Sequence, residues 1–272
     1  MRQVLRFSGV AVSHAGHVRS NNEDSGFLGP TCMLVADGVG GAAAGEIASA
    51  TTAYVVSALA LAHPTGDPVS TLETGLHLAQ RQIVAGSQQD ETRAGMATTL
   101  TAVVTDGVRF GIAHVGDSRG YVFRDGCLTR ITRDDTYVQR LVDEGNLRED
   151  DVPWHPWRNV VTRSVDGTVE EPGDVRPLRL EVGDRVLLAS DGLTDLVTDL
   201  RIEAVLTAHD DDAAVESLLE AALAAGGRDN ITCLLATVAA GPETVADGIL
   251  LGALRSPFNV VDAAAVRMPH SA

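Results

Sequence analysis

Aspartates that recur at the ends of short apolar runs, close to glycine, constrain the fold of this chain more than any other feature of its sequence. Four stretches share this setting: LVADGVGG with Asp37, FGIAHVGD with Asp117, RVLLASDG with Asp191, and GGRDNITCLL with Asp229. Apolar runs of this length are typical of β-strands. Carboxylates carried on strand ends can converge only where the strands are neighbours. The pattern therefore predicts a group of neighbouring strands whose ends share one cleft.

Further strands and helices come in blocks along the chain. Runs typical of strands lie at Val4–Val12, Cys32–Ala36, Thr98–Thr105, Phe110–Val115, Tyr121–Phe123, Cys127–Ile131, Arg185–Ser190 and Ile231–Val238. Helical patterns lie at about Gly45–Ala62, Val69–Gln89 and Asp212–Ala225. The pair Asp125-Gly126 predicts a tight hairpin, because both residues tolerate positive φ. Since the helices are grouped between blocks of strands, the pattern favours an α+β fold with largely antiparallel sheets.

Composition narrows the class of protein. The 272 residues suit one large domain, and 37 acidic against 21 basic residues give a formal charge of −16. This excess argues against nucleic acid or an anionic membrane as the main partner. No run approaches the about 20 apolar residues of a membrane span, and the N-terminus lacks a signal-peptide pattern. We expect a cytoplasmic protein in which the three cysteines, Cys32, Cys127 and Cys233, are buried free thiols.

The recurring aspartates favour a metal site. Left unpaired in one cleft, they would repel one another and raise one another's pKa. Divalent cations relieve that repulsion, and carboxylate oxygens suit Mg²⁺ or Mn²⁺ better than Zn²⁺. The alternative for a single aspartate is a turn-forming role, which four similar settings make less attractive. Upstream, the polar segment GHVRSNNEDS adds Arg19, Asn22, Glu23 and Asp24; the alternative to a functional role there is a solvated loop. An arginine fork matches phosphate oxygens, so the set fits metal-assisted hydrolysis of a phosphate ester.

Six motifs follow one another along the chain: RSNNEDS, ADGVGG, MATTLTAVV, HVGDSRGYVFRDGCLTRIT, ASDGLTDLV and GGRDNIT. In this order and spacing, over about Val10–Val238, the chain resembles the metal-dependent protein phosphatase (PPM, or type 2C) family, particularly its bacterial branch. The resemblance implies a catalytic domain at residues 1–238, built as a central β-sandwich of two antiparallel sheets flanked by helix pairs. It implies a flap beside the active site at about residues 135–167. Residues 239–272 are a C-terminal tail of unknown role, which would be inhibitory if it covered the cleft.

The resemblance also implies a role for each site residue. The implied metal ligands are Asp37, the Gly38 carbonyl, Asp117, Asp191 and Asp229. Among these, Asp37 would bridge two ions, and Asp117 would join Asp191 at a third ion of bacterial members. Arg19 would hold the substrate phosphate. The residues implied to support the ligands or orient metal-bound water are Glu23, Asp24, Asp195 and Asn230.

The implied mechanism needs no covalent phosphoenzyme. Two cations about 4 Å apart lower the pKa of a shared water toward roughly 7 and so supply a hydroxide. In such a mechanism this hydroxide would attack phosphorus, and the cations and Arg19 would neutralise the developing charge. Eukaryotic relatives place a histidine, thought to be the general acid, where this chain has Val39, so the leaving group must be protonated by water or another residue. The flap residues that could contact a peptide are Trp154, His155, Trp157 and Arg158. The alternative for the two tryptophans is that they anchor the flap to the core.

Three functions compete on these grounds. The favoured one is Mg²⁺- or Mn²⁺-dependent hydrolysis of phosphoserine and phosphothreonine in proteins, opposing a bacterial Ser/Thr kinase, by a monomeric enzyme. The second is a non-catalytic family member that binds phosphoproteins or regulates a partner, against which the complete aspartate set argues. The third is a carboxylate-metal phosphodiesterase or nuclease, which the charge of −16 disfavours.

Overall fold

The structure is a computed structural model that describes residues 3–39, 44–168, 173–242 and 248–266. Its strands are β1 (Gln3–His14), β2 (Ser25–Leu28), β3 (Cys32–Ala36), β4 (Gly38–Val39), β5 (Ala97–Thr98), β6 (Leu100–Thr105), β7 (Phe110–Val115), β8 (Arg119–Arg124), β9 (Cys127–Arg130), β10 (Asp174–Leu178), β11 (Arg185–Ala189), β12 (Ile231–Pro242) and β13 (Ile249–Gly252). Its helices are α1 (Gly45–Ala62), α2 (Pro68–Gln89), α3 (Tyr137–Asp143), α4 (Asp191–Thr194), α5 (Asp199–Ala208) and α6 (Asp211–Ala224). Short 3-10 helices lie at Glu91–Arg93, Glu149–Trp154, Ala253–Arg255 and Pro257–Asn259.

Two antiparallel sheets pack face to face. One has the strand order β1-β12-β11-β8-β9 and the other the order β10-β7-β6-β3-β2-β13, while β4 pairs with β5 in a short separate ladder. Apolar side chains from both inner faces, among them Met33, Val35, Leu188 and Leu234, form the layer between the sheets. Because each strand alternates its side chains, its other face is left for the helices.

Helices cover both outer faces. Helices α1 and α2 pack on the six-stranded sheet around Leu34 and Leu100, and α5 and α6 pack on the five-stranded sheet. In the second helical layer, Ile202 and Leu218 join Leu235 in one buried cluster. The four layers confirm the predicted β-sandwich flanked by helix pairs.

Local sequence signals act as predicted. The Asp67 side chain accepts a hydrogen bond of 3.0 Å from the Ser70 N–H, and Pro68 occupies the first position of α2. Asp125 and Gly126 have φ of 52° and 80° between β8 and β9, as a tight hairpin requires.

Helix α1 corrects the expectation about apolar runs. Among the described residues, α1 is the one helix whose length and composition would allow it to cross a membrane. Of this stretch 67 % is buried inside the protein, where its alanines pack with the six-stranded sheet. That is the environment of a core helix, which passes the same test of length and composition.

The expectation of three buried thiols is wrong for one of them. All three cysteines are free, and Cys32 and Cys233 are buried as predicted, but Cys127 is exposed. Cys127 opens β9, which lies next to the hairpin at the edge of its sheet, where β8 is its one neighbour among the described strands.

The described part of the chain beyond Val238 belongs to the sandwich. Strand β12 continues to Pro242, so the predicted division at residue 238 falls inside a strand. Strand β13 pairs with β2 at the edge of the six-stranded sheet, and Leu254 and Val266 are buried in the core around α1. A four-residue strand followed by single helical turns is too short to show periodicity in the sequence.

Candidate active site

Strand directions bring the four recurring aspartates to one end of the sandwich. Strands β3 and β7 flank β6 and run the same way, so Asp37 and Asp117 leave the six-stranded sheet at the same end. Asp191 follows β11 and Asp229 precedes β12, and these two strands are antiparallel neighbours in the other sheet. The four residues therefore meet where the two sheets end.

These residues and two further acids form what we call the carboxylate cluster: Asp24, Asp37, Asp117, Asp191, Asp195 and Asp229. Burial, and then the charges of its neighbours, raise the pKa of Asp37 well above the usual value. Burial, followed by the charges of Asp117 and Asp195, does the same to the pKa of Asp191. Burial and nearby carboxylates raise the pKa of Asp117 to about 7. Asp37 and Asp191 thus lie close enough to other carboxylates of the cluster for those negative charges to oppose their ionisation.

Asp24 is the most enclosed member of the cluster. It is fully buried, and the Ser190 hydroxyl donates a hydrogen bond of 2.8 Å to its Oδ2. Its Oδ1 has no hydrogen-bond partner within the described ranges of the chain. Burial raises the pKa of Asp24 to about 6, although hydrogen bonds to the carboxylate act in the opposite direction. A buried carboxylate oxygen without a partner is costly unless a cation binds it.

Two threonines that the sequence analysis did not single out fix the backbone of Asp37. The Asp37 N–H donates to Thr99 Oγ1 at 3.0 Å, and the Asp37 carbonyl accepts from the Thr98 hydroxyl and the Thr99 N–H at 2.8 Å each. Thr99 Oγ1 also lies 2.7 Å from the hydroxyl of Ser118, next to Asp117. The available signal was the polar pair inside the otherwise apolar stretch MATTLTAVV.

Gly38 has a packing reason in addition to its implied role as a backbone ligand. A Cβ on Gly38 would lie 2.6 Å from the carbonyl of Gly45, the first residue of α1. A Cβ on Gly45 would in turn lie 2.5 Å from Glu23 Oε2. Helix α1, the turn after Asp37 and the Glu23 side chain therefore meet without room for another methyl group. Gly40 and Gly41 lie outside the described residues.

Arg19 and Asn230 both contact the Asp229 end of the cluster. Arg19 Nη2 donates to Asp229 Oδ2 at 2.7 Å, and both side chains are partly exposed. Asn230 faces the chain before β2: its Oδ1 accepts from the Glu23 N–H at 2.7 Å, and its Nδ2 donates to the carbonyls of Ala15 and Asn21. Asn230 therefore holds the loop that carries Arg19 and Glu23 against Asp229.

A buried ion pair borders the Asp117 side of the cluster. Arg119 Nη2 lies 2.8 Å from Asp134 Oδ2, and Arg130 also pairs with Asp134. Burial raises the pKa of Asp195, while the positive charges of Arg119 and Arg158 oppose that rise. Neither Arg119 nor Asp134 was predicted to belong to the site, because their separation in the chain conceals their pairing.

The donor set fits hard divalent cations. Within the described ranges, no group of three or more Asp, Glu, His or Cys side chains is already spaced to hold a metal ion. Mg²⁺ normally takes one or two carboxylates and completes its shell with water, so a closed protein shell is not required. The unpartnered Oδ1 of Asp24 and the raised pKa values of Asp37 and Asp191 both favour a bound positive charge.

The flap, residues 135–167, presents aromatic side chains to solvent. Trp154 is 86 % exposed, which is contrary to the alternative that it anchors the flap to the core. Trp157 is 56 % exposed, and its ring lies 5.3 Å from the Tyr137 ring and 6.0 Å from the His155 ring. His155 Nδ1 accepts from the Trp157 N–H at 3.2 Å. Arg158 acts electrostatically on Asp195, so this part of the flap lies near the cluster.

Comparison with known proteins identifies the family. A model described as protein phosphatase 2C matches residues 17–236. Serine/threonine protein phosphatase PstP of Mycobacterium tuberculosis H37Rv is 41 % identical over 251 residues, which are 92 % of this chain and 48 % of PstP. Serine/threonine phosphatase stp of Listeria monocytogenes serotype 4b is 33 % identical over 232 residues, which are 81 % of this chain and 91 % of that protein. The chain belongs to the protein phosphatase 2C family, as its motifs predicted.

Solved structures agree with this assignment. A crystal structure of M. tuberculosis PstP/Ppp has a TM-score of 0.77 at 42 % identity and covers 87 % of this chain and 99 % of its own. The catalytic domain of PstP in complex with two manganese ions has a TM-score of 0.76 at 41 % identity and covers 88 % of this chain and all of its own. The chain spans about half the length of the curated PstP relatives it matches.

Proposed function

We propose that this chain is a metal-dependent phosphatase that hydrolyses phosphoserine and phosphothreonine in proteins. The observation that carries the proposal is the convergence of the carboxylate cluster at one end of the sandwich, with Arg19 at its rim. The substrate class is supported by the relatives in M. tuberculosis and L. monocytogenes, which are named serine/threonine phosphatases.

The metal ligands proposed for two core ions, Mn²⁺ or Mg²⁺, are Asp37, the Gly38 carbonyl, Asp191 and Asp229. Asp117 with Asp191 would hold a third ion. Bound cations of this kind lower the pKa of water and neutralise charge on a phosphate ester in the transition state. Manganese is supported by the PstP catalytic domain that contains two manganese ions. Magnesium and the third ion are supported by the all-oxygen donor set and by the place of Asp117 in the cluster.

Arg19 is proposed to bind the substrate phosphate. Its side chain is 48 % exposed and its guanidinium, now paired with Asp229, points at the rim of the cluster. Once a cation neutralises Asp229, the fork is available for two phosphate oxygens. Glu23, Asp24 and Asp195 would then orient water between the cations and the protein.

Neither serine beside the cluster is placed as a nucleophile. Ser190 is fully buried and donates to Asp24, and its Oγ accepts from the Thr232 N–H at 2.9 Å. Ser118 is fully buried against Thr99. Direct attack by water on phosphorus therefore suits the site better than a phosphoserine intermediate. Val39 offers no proton to the leaving group, so water or another residue must supply it.

The partner and location follow as proposals of the same kind. The exposed flap residues Trp154 and Trp157, together with His155 and Arg158, would contact the peptide around the phosphorylated residue. The substrate would be the product of a bacterial Ser/Thr kinase. A cytoplasmic location and a monomeric state remain predictions.

Hydrolysis of a phosphothreonine peptide and of p-nitrophenyl phosphate, with Mn²⁺, with Mg²⁺ and with EDTA, tests the proposed function. We expect metal-dependent turnover that EDTA and Asp191→Ala abolish. The matched control is Asp212→Ala, which removes an exposed carboxylate at the start of α6, away from the cluster. This control should leave turnover unchanged.

Two outcomes would contradict the proposal. Metal binding by calorimetry without turnover would favour the non-catalytic phosphoprotein-binding function. Turnover that Asp191→Ala and Asp212→Ala reduce equally would remove the carboxylate cluster from the reaction.

A further inference from the structure

A C-terminal segment outside the region matched by the family model packs directly behind the candidate site. This segment, residues 248–266, is called the strap below, and the family match ends at residue 236. Its strand β13 pairs antiparallel with β2, from Ile249 opposite Leu28 to Gly252 opposite Ser25. The end of β13 therefore lies beside the start of β2, and Asp24 is the residue that precedes β2.

The strap contacts the backbone of Asp24 at a site that only glycine fits. The Ala253 N–H donates a hydrogen bond of 2.7 Å to the Asp24 carbonyl. Gly252 has a φ of +59°, and a Cβ there would lie 2.0 Å from the same carbonyl oxygen. Real side chains do not approach a backbone oxygen so closely, so the turn at Gly252 is shaped to the Asp24 peptide.

The position of Asp24 depends on this contact from one side and on a loop from the other. The Asp24 N–H donates to Asn22 Oδ1 at 3.1 Å, and the Asp24 side chain accepts from Ser190. Strand β2 lies between β3 and β13, so β13 is its partner on the outer side. Strap and loop together fix the peptide that places the Asp24 carboxylate in the cluster.

The strap is itself anchored to helix α1. Thr51 Oγ1 accepts from the Val261 N–H at 3.1 Å, and the Tyr54 hydroxyl donates to the Ala263 carbonyl at 2.7 Å. Leu254 is 4 % exposed within the core around α1. Helix α1 begins at Gly45, which lies against Glu23 and Gly38. The strap therefore reaches the candidate site directly at Asp24, and the helix to which it is anchored reaches the site at Gly45.

We propose that the strap is a positioning element of the catalytic site. Gly252 and Ala253 fix the position of Asp24, and the position of Asp24 in turn determines the metal affinity of the cluster. The proposal rests on the proposed function. It also opposes the idea of an inhibitory tail for these residues, since loosening the strap should lower metal affinity and turnover. Residues that orient the ligands of a metal from outside its shell typically change its affinity about 10- to 100-fold.

The first test compares two glycine substitutions in the full chain. Gly252→Ala adds a methyl group against the Asp24 carbonyl. Gly126→Ala adds one at a hairpin tip with φ +80°, where no atom of the described residues lies within 4 Å. Both introduce positive-φ strain, but only the first reaches the cluster. By calorimetry we expect Gly252→Ala to weaken Mn²⁺ binding roughly tenfold. Gly126→Ala should bind Mn²⁺ like the unsubstituted chain.

The second test separates positioning from general loss of stability. Leu254→Ala and Leu218→Ala each create a cavity at a buried leucine, one in the strap and one in α6. Both should lower the unfolding temperature of the metal-free protein. Below that temperature, Leu254→Ala alone should raise the Mn²⁺ dissociation constant and the Mn²⁺ concentration needed for half-maximal hydrolysis of p-nitrophenyl phosphate.

Three results would overturn the proposal. One is unchanged Mn²⁺ affinity in both Gly252→Ala and Leu254→Ala. Another is an equal loss of affinity in Leu254→Ala and Leu218→Ala, which would mean a structural role only. The third is higher turnover in either strap variant, which would make the strap inhibitory. If the unsubstituted chain bound Mn²⁺ but hydrolysed nothing, the proposed function would fail, and the affinities would still decide the role of the strap.

Discussion

The metal-free protein should lose stability as the pH rises from about 4 to 7, because the most buried carboxyl groups of the cluster resist ionisation. Asp24 is fully buried, and its pKa is raised to about 6 from 3.8. A carboxyl whose pKa is higher in the folded state than in the unfolded state costs nothing while both states are protonated. The cost appears as the pH rises past the unfolded pKa and is complete above the folded one.

The size of the effect follows from the shift in the pKa of Asp24. A shift from 3.8 to about 6 corresponds to about 3 kcal/mol in the free energy of unfolding, of which roughly half should appear between pH 5 and pH 8. Asp117, whose pKa is raised to about 7, adds a cost of the same sign. These costs are a large fraction of the about 5–15 kcal/mol that stabilises a typical domain.

This cost can be measured by urea unfolding in EDTA at a series of pH values. The experiment compares the unsubstituted chain with Asp24→Asn. Asparagine keeps an oxygen for the Ser190 hydroxyl and carries no charge, so the variant should be more stable than the parent at pH 8 and nearly equal at pH 4. Saturating Mn²⁺ should remove most of the pH dependence of the parent. Parallel stability curves for the two proteins between pH 4 and pH 8 would refute the reasoning, since Asp24 would then ionise as easily folded as unfolded.

Three further predictions concern turnover. Thr99→Val should lower turnover roughly tenfold in steady-state assays, because it leaves the partly buried Asp37 N–H without its acceptor, at a cost of about 1–3 kcal/mol. Thr99→Ser should restore turnover, and a Thr99→Val rate equal to that of the parent would remove Thr99 from the site. Arg19→Lys should raise the KM for a phosphothreonine peptide roughly fivefold to tenfold, because an ammonium group cannot form the bidentate hydrogen bonds of a guanidinium to two phosphate oxygens. An unchanged KM would place Arg19 outside the phosphate site. Trp154→Ala removes a side chain that is 86 % exposed, so it should raise the KM for the peptide and leave the KM for p-nitrophenyl phosphate unchanged. An equal rise in KM for both substrates would contradict a contact between Trp154 and the peptide.

Residues that repeat one local pattern were predictable from sequence, and contacts between distant segments were not. Asp37, Asp117, Asp191 and Asp229 each carry the same signal at a strand end, and the structure brings them together. The contact of Asp24 with the strap leaves no such mark, because it joins two backbone groups far apart in the chain. Strands β2 and β13 have four residues each, too few for alternation to stand out from chance.

The fold holds the cluster by its backbone and leaves carboxylate oxygens for cations. Thr98 and Thr99 bind the peptide groups of Asp37, and Asn22 and Ala253 bind those of Asp24. Because these contacts hold Asp24 in a fully buried position, the ionised metal-free state bears the cost of about 3 kcal/mol that burial imposes on this carboxylate. A metal present at 100 times its dissociation constant stabilises the folded state by about 2.7 kcal/mol. The anchors that hold Asp24 where its ionisation is costly at neutral pH also keep the surrounding ligands in place for the metal.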